Sequence, residues 1–436
     1  MSEEPIATVL VAVHAPEEEA AVVTALDAQP YMSVARRCAE LADLLAGAEA
    51  GAGTVAVLSG DLPGLDREAI SRLHGAGLRV VAIDDPATPE DRLAGLGCDA
   101  VVVGSDADSL VAAVRGGERE MAGPVTVPSP GPEAARGMVV AVWGPAGSPG
   151  RTTTAVELAA ALAGVGVGPP RRSGLLRRPR LPELSRGPST VLLADADTYA
   201  SSVTSRLGLL DDAPGLAAAA RAAGSGVLDV VTLAELSPVA LPGVRVLTGL
   251  TRASRWPELP ASSLDVVFQG CRELVAWTVV DCGPVLEADE LLMYDTRAPQ
   301  RNGATLSALQ AADLVVVVGA ADPVGLHRLL RGMEDLRDAA VPVVAELMVV
   351  VNRVRASAVG RRAESQVRDA LARYGGIDDV HLVPDDPAGL DAALLAGQVL
   401  AECAPGSPAR AAFTALADRV RALAPAAARS PQVAPA

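Results

Sequence analysis

Apolar residues along this chain fall into short unbroken runs, separated by stretches in which they recur every three or four positions. Runs at 7–13, 33–38, 54–58, 79–83 and 100–103 read as buried strands, and the stretches 17–28, 40–50, 67–76, 89–95 and 107–115 read as helices. Alternating strand and helix with continuous apolar strands is the pattern of a parallel sheet covered on both faces, because each crossover helix must lie over the sheet. Residues 1–119 are therefore predicted to form a doubly wound α/β domain with a parallel sheet. From 120 to 137 the period is lost and Pro and Gly recur, which marks a linker.

A second α/β domain, mostly parallel, is predicted over 138–425. Its strands are the apolar runs 138–143, 190–194, 274–280, 314–318, 348–351 and 381–383. Residues 164–189 hold six arginines, one acid and several prolines with no period, and read as a solvated insertion. A basic tether for an acidic partner or for anionic lipid head groups is the functional alternative there. The last helix, 408–423, carries Phe413, Leu416, Val420 and Leu423 on one face and is expected to pack on the core rather than on a membrane. The tail 426–436 reads as disordered.

The most informative stretch is VAVWGPAGSPGRTTTAVELAAALA, beginning at Val140. A buried strand runs into a loop with Gly144, Gly147, Ser148 and Gly150, then into Arg151, Thr152, Thr153 and a helix with Ala155, Leu158, Ala159 and Leu162 on one side. Glycines let backbone N–H groups close on phosphate oxygens, and the helix start adds the positive end of its dipole. The strict pattern G-x-x-x-x-G-K-[ST] is not met: Pro145 holds the first glycine position and Arg151 the lysine position. The alternative is a tight strand-to-helix turn whose glycines serve only its dihedral angles.

Downstream, the run at 190–194 ends in Asp195-Ala196-Asp197, and 274–280 ends in Asp281-Cys282-Gly283-Pro284. Acids at the carboxyl ends of parallel strands face the crevice where open α/β sheets bind ligands. Asp281 after a hydrophobic strand has the form of a metal-side acid of phosphate-loop enzymes. Asp197 could equally cap a helix. Further tips are Asn352-Arg353 and Pro384-Asp385-Asp386.

Charge and composition narrow the field. The net charge of −16 is concentrated at the front, where residues 1–120 hold 21 acids against 8 arginines. That balance speaks against a protein that coats nucleic acid, which needs clustered positive charge. The chain has no lysine at all, so every one of its 37 basic residues is arginine. Five dispersed cysteines and four scattered histidines suggest neither a disulfide framework nor a metal cluster. The acidic start is unlike a signal peptide and no uncharged run reaches membrane-spanning length, so a cytoplasmic protein is expected.

The texts VLLADADTYASSVTSRLGL, WTVVDCGP, ADLVVVVGAADPVGLHRLLR, MVVVNRVR and VPDDPAGLDAALLAGQVLAECAPGSPARAAF carry a resemblance. The region from Met138 onward resembles the MinD/ParA family of deviant phosphate-loop ATPases. With a front domain that looks like a response-regulator receiver, the whole most resembles the CpaE/TadZ branch, which places Flp-type pilus machinery at cell poles. The receiver chemistry itself is mostly missing, since His14-Ala15-Pro16 stands where paired acids are needed and Asp61 lies past the third strand. The front domain is therefore expected to dock partners rather than to take up phosphate.

The resemblance implies ATP and Mg²⁺ as cofactors. It implies that Gly144, Gly147, Ser148, Gly150, Arg151, Thr152 and Thr153 hold the phosphates, with Asn352, Arg353, Pro384 and Asp385 at the base and ribose. Thr152, Asp195 and Asp281 would serve the metal, and Asp197 with Arg151 the reaction with water. It further implies a homodimer through the nucleotide face, and pilus, secretion or division proteins bound through the front domain. DNA is not expected as a partner, and membrane association is at most peripheral, through recruitment to the membrane or cell pole. The family's signature lysine is Ala146 here, the loop lysine is Arg151, and Pro145 and Pro149 each remove a backbone donor. Hydrolysis is therefore expected to be weak or absent. A nucleotide-independent scaffold with a decayed loop, a chromosome or plasmid partition ATPase, and a two-component output regulator are the competing readings.

Overall fold

The structure, a computed structural model, describes residues 7–84, 91–104, 106–116, 136–166, 190–209, 214–287, 300–339 and 341–423. Most of the expected linker and insertion, and all of the expected tail, lie outside these residues. The chain divides into two compact units, Met1–Gly131 with Arg221–Leu228, and Pro132–Ala220 with Asp229–Ala436.

The first unit runs β1 (Ala7–Ala12), α1 (Pro16–Asp27), β2 (Met32–Arg37), α2 (Leu41–Glu49), β3 (Val55–Ser59), α3 (Arg67–Gly75), β4 (Arg79–Asp84), α4 (Arg92–Leu96), β5 (Ala100–Val103) and α5 (Ala107–Arg115). All strand pairs are parallel, in the order β2-β1-β3-β4-β5. This is the flavodoxin-like doubly wound order. Alternation along β1 explains the two covered faces: Val9 and Val11 pack with Val22, Leu26, Leu110 and Val114 on one side. Leu10 and Ala12 pack with Leu44, Ile70, Leu73 and Leu93 on the other. Asp61 lies exposed beyond the end of β3.

The second unit begins with β6 (Met138–Trp143), α6 (Arg151–Leu162), β7 (Val191–Ala196) and a one-turn helix α7 (Val203–Arg206). Next come α8 (Gly215–Gly224), α9 (Val230–Leu236), β8 (Val239–Leu241), β9 (Val244–Leu247), α10 (Ala261–Leu274) and β10 (Trp277–Cys282). It continues through α11 (Gly303–Ala311), β11 (Leu314–Ala320), α12 (Pro323–Arg337), β12 (Glu346–Val354), α13 (Ala356–Val359) and α14 (Ala363–Gly375). It ends with β13 (Val380–Pro384), α15 (Pro387–Ala396), α16 (Leu400–Cys403) and α17 (Pro408–Leu423). Eight strands lie in the order β13-β12-β11-β6-β10-β7-β9-β8, parallel except for the antiparallel pair β8–β9.

The central position of β6 matters for function. Its neighbours β11 and β10 both come later in the chain, so the sheet's order reverses at the loop that follows β6. Ligands of open α/β sheets bind in the crevice at such a reversal. On one face of the sheet α6 buries Ala155, Leu158, Ala159 and Leu162, as the period predicts, against Val140, Val142, Leu193 and Val279. Helix α17 inserts Phe413, Leu416, Ala417 and Val420 into the same cluster and is thus a core helix.

Candidate functional site

The loop Gly144–Gly150 is shaped by close approaches on three sides. A Cβ on Gly144 would lie 2.3 Å from the carbonyl oxygen of Val318 in β11, so a side chain there would push the strand away. Gly147 (φ +80°) and Gly150 (φ +95°) occupy the left-handed region that favours glycine. Gly150 is also the residue before α6, and a Cβ on it would lie 2.5 Å from Asn352 Nδ2. Inside the loop Ser148 N–H donates to Pro145 O at 3.0 Å, and Thr154 N–H donates to Gly150 O at 2.8 Å to start the helix.

The side chains of the loop turn in two directions. Arg151 bends back: Nη1 donates to Gly144 O (3.4 Å) and Pro145 O (3.5 Å), and Nη2 lies 3.6 Å from Asp197 Oδ2. The Thr152 hydroxyl is hydrogen-bonded to the Ser202 hydroxyl at 3.1 Å. Asn352, at the end of β12, donates from Nδ2 to Thr154 Oγ1 (3.2 Å), Gly150 O (3.4 Å) and Pro149 O (3.5 Å). The asparagine tip of a neighbouring strand thereby fixes the loop's exit.

Strand register assembles the acids. Asp281 on β10 stands opposite Asp195 on β7 and opposite Val142 on β6. Three adjacent strand ends thus converge beside the loop, with both carboxylates buried. Their surroundings differ sharply. Asp195 Oδ2 accepts from Ser201 Oγ (2.7 Å), Ser202 N–H (3.0 Å) and Val203 N–H (3.0 Å), and Oδ1 accepts from Asp197 N–H (3.2 Å). It ties down the segment entering α7. Asp197 accepts from Tyr199 N–H (2.9 Å) and Ala200 N–H (3.0 Å) through Oδ1 while Oδ2 faces Arg151. Neither oxygen of Asp281 has a well-formed hydrogen bond among the described residues, and the Thr152 hydroxyl is the one nearby side-chain donor that eases its charge. Burial, and then the neighbouring Asp195 charge, push the Asp281 carboxyl well above the usual carboxylate range. Burial likewise raises Asp195, against the pull of its hydrogen bonds.

A buried carboxylate with so little hydrogen bonding, next to a second acid, keeps its charge only with a cation beside it. The donor set suits Mg²⁺, a hard ion that takes one or two protein oxygens and completes its shell with water and substrate phosphates. Asp281 and the Thr152 hydroxyl offer such oxygens, whereas the oxygens of Asp195 are engaged. Among the described residues there is no cluster of three or more His, Cys, Asp or Glu that could cage a metal alone.

Beside the loop opens a cavity of about 690 Å³. Pro149, Gly150, Thr152 and Thr153 line one end, and Asn352, Arg353, Pro384 and Asp385 line the wall. The structure therefore brings these residues, expected at the phosphates and at the base and ribose, to one place, while Gly144, Gly147 and Ser148 lie outside the cavity lining. Arg353 holds φ +57°, a left-handed conformation unusual for a residue with a side chain. Arg355 Nε pairs with Asp385 Oδ2 at 3.9 Å, both residues lining the cavity.

Three contributions escaped sequence reasoning. Arg206 lines the cavity and pairs with the buried Glu157 of α6 (Nη2–Oε1 3.1 Å), whose two oxygens also accept from Leu400 N–H at 3.1 Å. Burial raises the Glu157 carboxyl to about 7 despite the guanidinium. On α12, Gly332 lies against the Pro145 ring, where a Cβ would come within 2.8 Å of Cγ. One turn earlier Arg328 covers Gly147, whose Cβ would lie 2.1 Å from Nη1. Two glycines inside one helix, at 325 and 332, were the available signal, since each weakens a helix by about 1 kcal/mol unless close packing requires it.

A glycine loop between the central strand of a mostly parallel sheet and its helix, with acids at neighbouring strand tips, defines an open α/β sheet whose candidate site lies at its point of strand reversal. Among solved structures, the chain is similar to the cell division ATPase MinD of Pyrococcus furiosus at 19% identity, with a TM-score of 0.47 over 66% of this chain and 100% of that one. It is similar to the septum site-determining protein MinD of Pyrococcus horikoshii OT3, complexed with Mg-ADP, at 20% identity and TM-score 0.47, over 67% and 99%. A ParA family ATPase from Chlorobium tepidum TLS gives 15% identity and TM-score 0.47, over 65% and 99%. No family model matches the chain, and no curated protein matches it.

Proposed function

We propose that this protein is an ATP- and Mg²⁺-binding spatial regulator of the MinD/ParA type, most like the CpaE/TadZ branch. In that role it positions or assembles a pilus, secretion or division apparatus. The observation that carries this reading is the pairing of Asp281, buried with no well-formed hydrogen bond to either oxygen among the described residues, with a glycine loop at the sheet's point of reversal. When bound, Mg-ATP supplies a phosphoanhydride and a cation that balances the buried charge. The chain's own residues bind and orient it: Gly144, Gly147, Ser148 and Gly150 with the start of α6 cradle phosphates, and Thr152 and Asp281 hold the cation. Asn352, Arg353, Pro384 and Asp385 enclose the base and ribose. Asp195 acts behind the metal site, by holding the segment that carries Ser202. Asp197 faces the reacting end but is paired with Arg151, and Ala146 brings no charge, so hydrolysis is weak or absent.

Nucleotide-dependent pairing of two copies through this face is the switch we infer. The front unit, flavodoxin-like in strand order but with His14-Ala15-Pro16 instead of paired acids after its first strand, serves as the docking module for the apparatus. Isothermal titration of the full chain tests the reading. Mg-ATP is expected to bind with one site per chain and Asp281→Ala to weaken it at least about tenfold. Absence of heat and of thermal stabilisation would favour the scaffold reading, to which the loop prolines and the folded-back Arg151 lend their weight.

A further inference from the structure

We propose that Arg328 supplies, from within the same chain, the positive charge that meets the terminal phosphate of a nucleoside triphosphate held in the 144–150 loop. The proposal rests on the nucleotide-binding reading of that loop. Three observations carry it.

The first is position. Arg328 sits on α12 with Nη1 directly over Gly147, close enough that any side chain on Gly147 would collide with it. Gly332, four residues on and therefore on the same helix face, lies against Pro145. The neighbouring Leu329 is buried, and its Cδ2 would lie 2.7 Å from a Cβ on Gly319. The helix is thus seated on the loop and the sheet by close packing on both sides of Arg328.

The second is chemistry. Arg151 has its guanidinium on two loop carbonyls and on Asp197. Arg328 is exposed and has no hydrogen bond or ion pair among the described residues. A guanidinium presents a planar fork of donors that matches a phosphate, and such charge-assisted bonds are strong. Ala146, next to Gly147, brings no charge of its own to this end of the loop.

The third is polarity along the loop. The cavity assigned above to a base and ribose is lined at the loop's exit by Pro149, Gly150, Thr152 and Thr153, and by neither Gly147 nor Arg328. A nucleotide seated there extends its phosphates from the exit toward Gly147. Arg328 is therefore placed to read the phosphate furthest from the base.

Isothermal titration of the full chain with Mg-ATP and Mg-ADP tests this. Arg328→Ala is expected to weaken Mg-ATP at least about tenfold, with Mg-ADP changed by no more than about twofold. Arg328→Lys should fall between wild type and alanine for Mg-ATP, because it restores the charge without the fork. Arg331→Ala, a like loss of charge on the same helix, is expected to match wild type. Unchanged Mg-ATP affinity in Arg328→Ala, an equal loss for both nucleotides, or an equal loss in Arg331→Ala overturns the assignment alone. A wild-type chain that binds neither nucleotide overturns it together with the reading on which it rests.

Discussion

Asp281 is buried beside Asp195 with no well-formed hydrogen bond to either oxygen among the described residues, so its charged form is penalised strongly unless a cation joins it. Asp281→Asn removes the acid, and with it the cost of either burying its charge or taking up a proton, without changing the side chain's size. In thermal scans without nucleotide the variant should melt about 2–4 °C higher, the equivalent of about 1 kcal/mol, and should lose the stabilisation that Mg-ATP gives wild type. A variant that melts lower and is still stabilised by Mg-ATP would mark the acid as structural. Glu157 offers a second, independent check. Its carboxyl titrates at about 7 in the folded chain, above the ordinary 4.5, so the folded state holds the proton over that interval. Stability from this group is therefore full below about pH 4.5 and is lost as pH rises through 7, by about 3 kcal/mol. Urea unfolding at pH 5 and pH 7.5 should show that fall in wild type and a flatter response in Glu157→Gln. At this scale the strand-tip acids and Asn352 were legible because parallel strands end in the crevice. Arg328 and Gly332 were not, since a single arginine in a distant amphipathic helix reads as a solvated charge until the fold lays that helix on the loop.

Among elements, α12 and the loop behave as one packed unit. Pro145 stands where the strict phosphate-loop pattern has glycine, and the helix accommodates its ring by having no side chain at 332. Gly332→Ala should therefore lower stability by about 1–3 kcal/mol, although alanine favours helix intrinsically. Pro145→Gly is expected to restore most of the loss, and denaturant unfolding of the two single variants and the double gives the coupling directly. The C-terminal helix α17 is tested in the same way. Phe413 is buried against α6 and the sheet, so Phe413→Ala should cost about 3–5 kcal/mol in solution. A helix serving a membrane instead would tolerate the change. Helices and strands with strong periods were read near their observed bounds, as for β6 and α17. The antiparallel pair β8–β9 was missed: it is short, and its Pro-Gly turn at 242–243 was the only local signal.

For the whole molecule, the α/β class and the mostly parallel sheets follow from one regularity, apolar runs alternating with amphipathic helices. The reversal of strand order at β6 could not be read from the sequence, because strand pairing is decided by contacts far apart along the chain. That reversal sets Gly144–Gly150 between the tips of β11 and β10 and gives the acids a common target. Among the described residues no helix is long and apolar enough to cross a membrane. The proposed function depends on one arrangement, a triphosphate lying along the loop with a cation beside Thr152 and Asp281. A crystal of the full chain grown with Mg²⁺ and a non-hydrolysable ATP analogue measures it directly. The expected result is phosphate density over Gly147–Thr153, a cation within reach of both residues, and the base in the cavity beside Asn352 and Pro384. Clear density for the chain at saturating analogue, with the loop empty or Asp281 turned onto a protein donor, would contradict it.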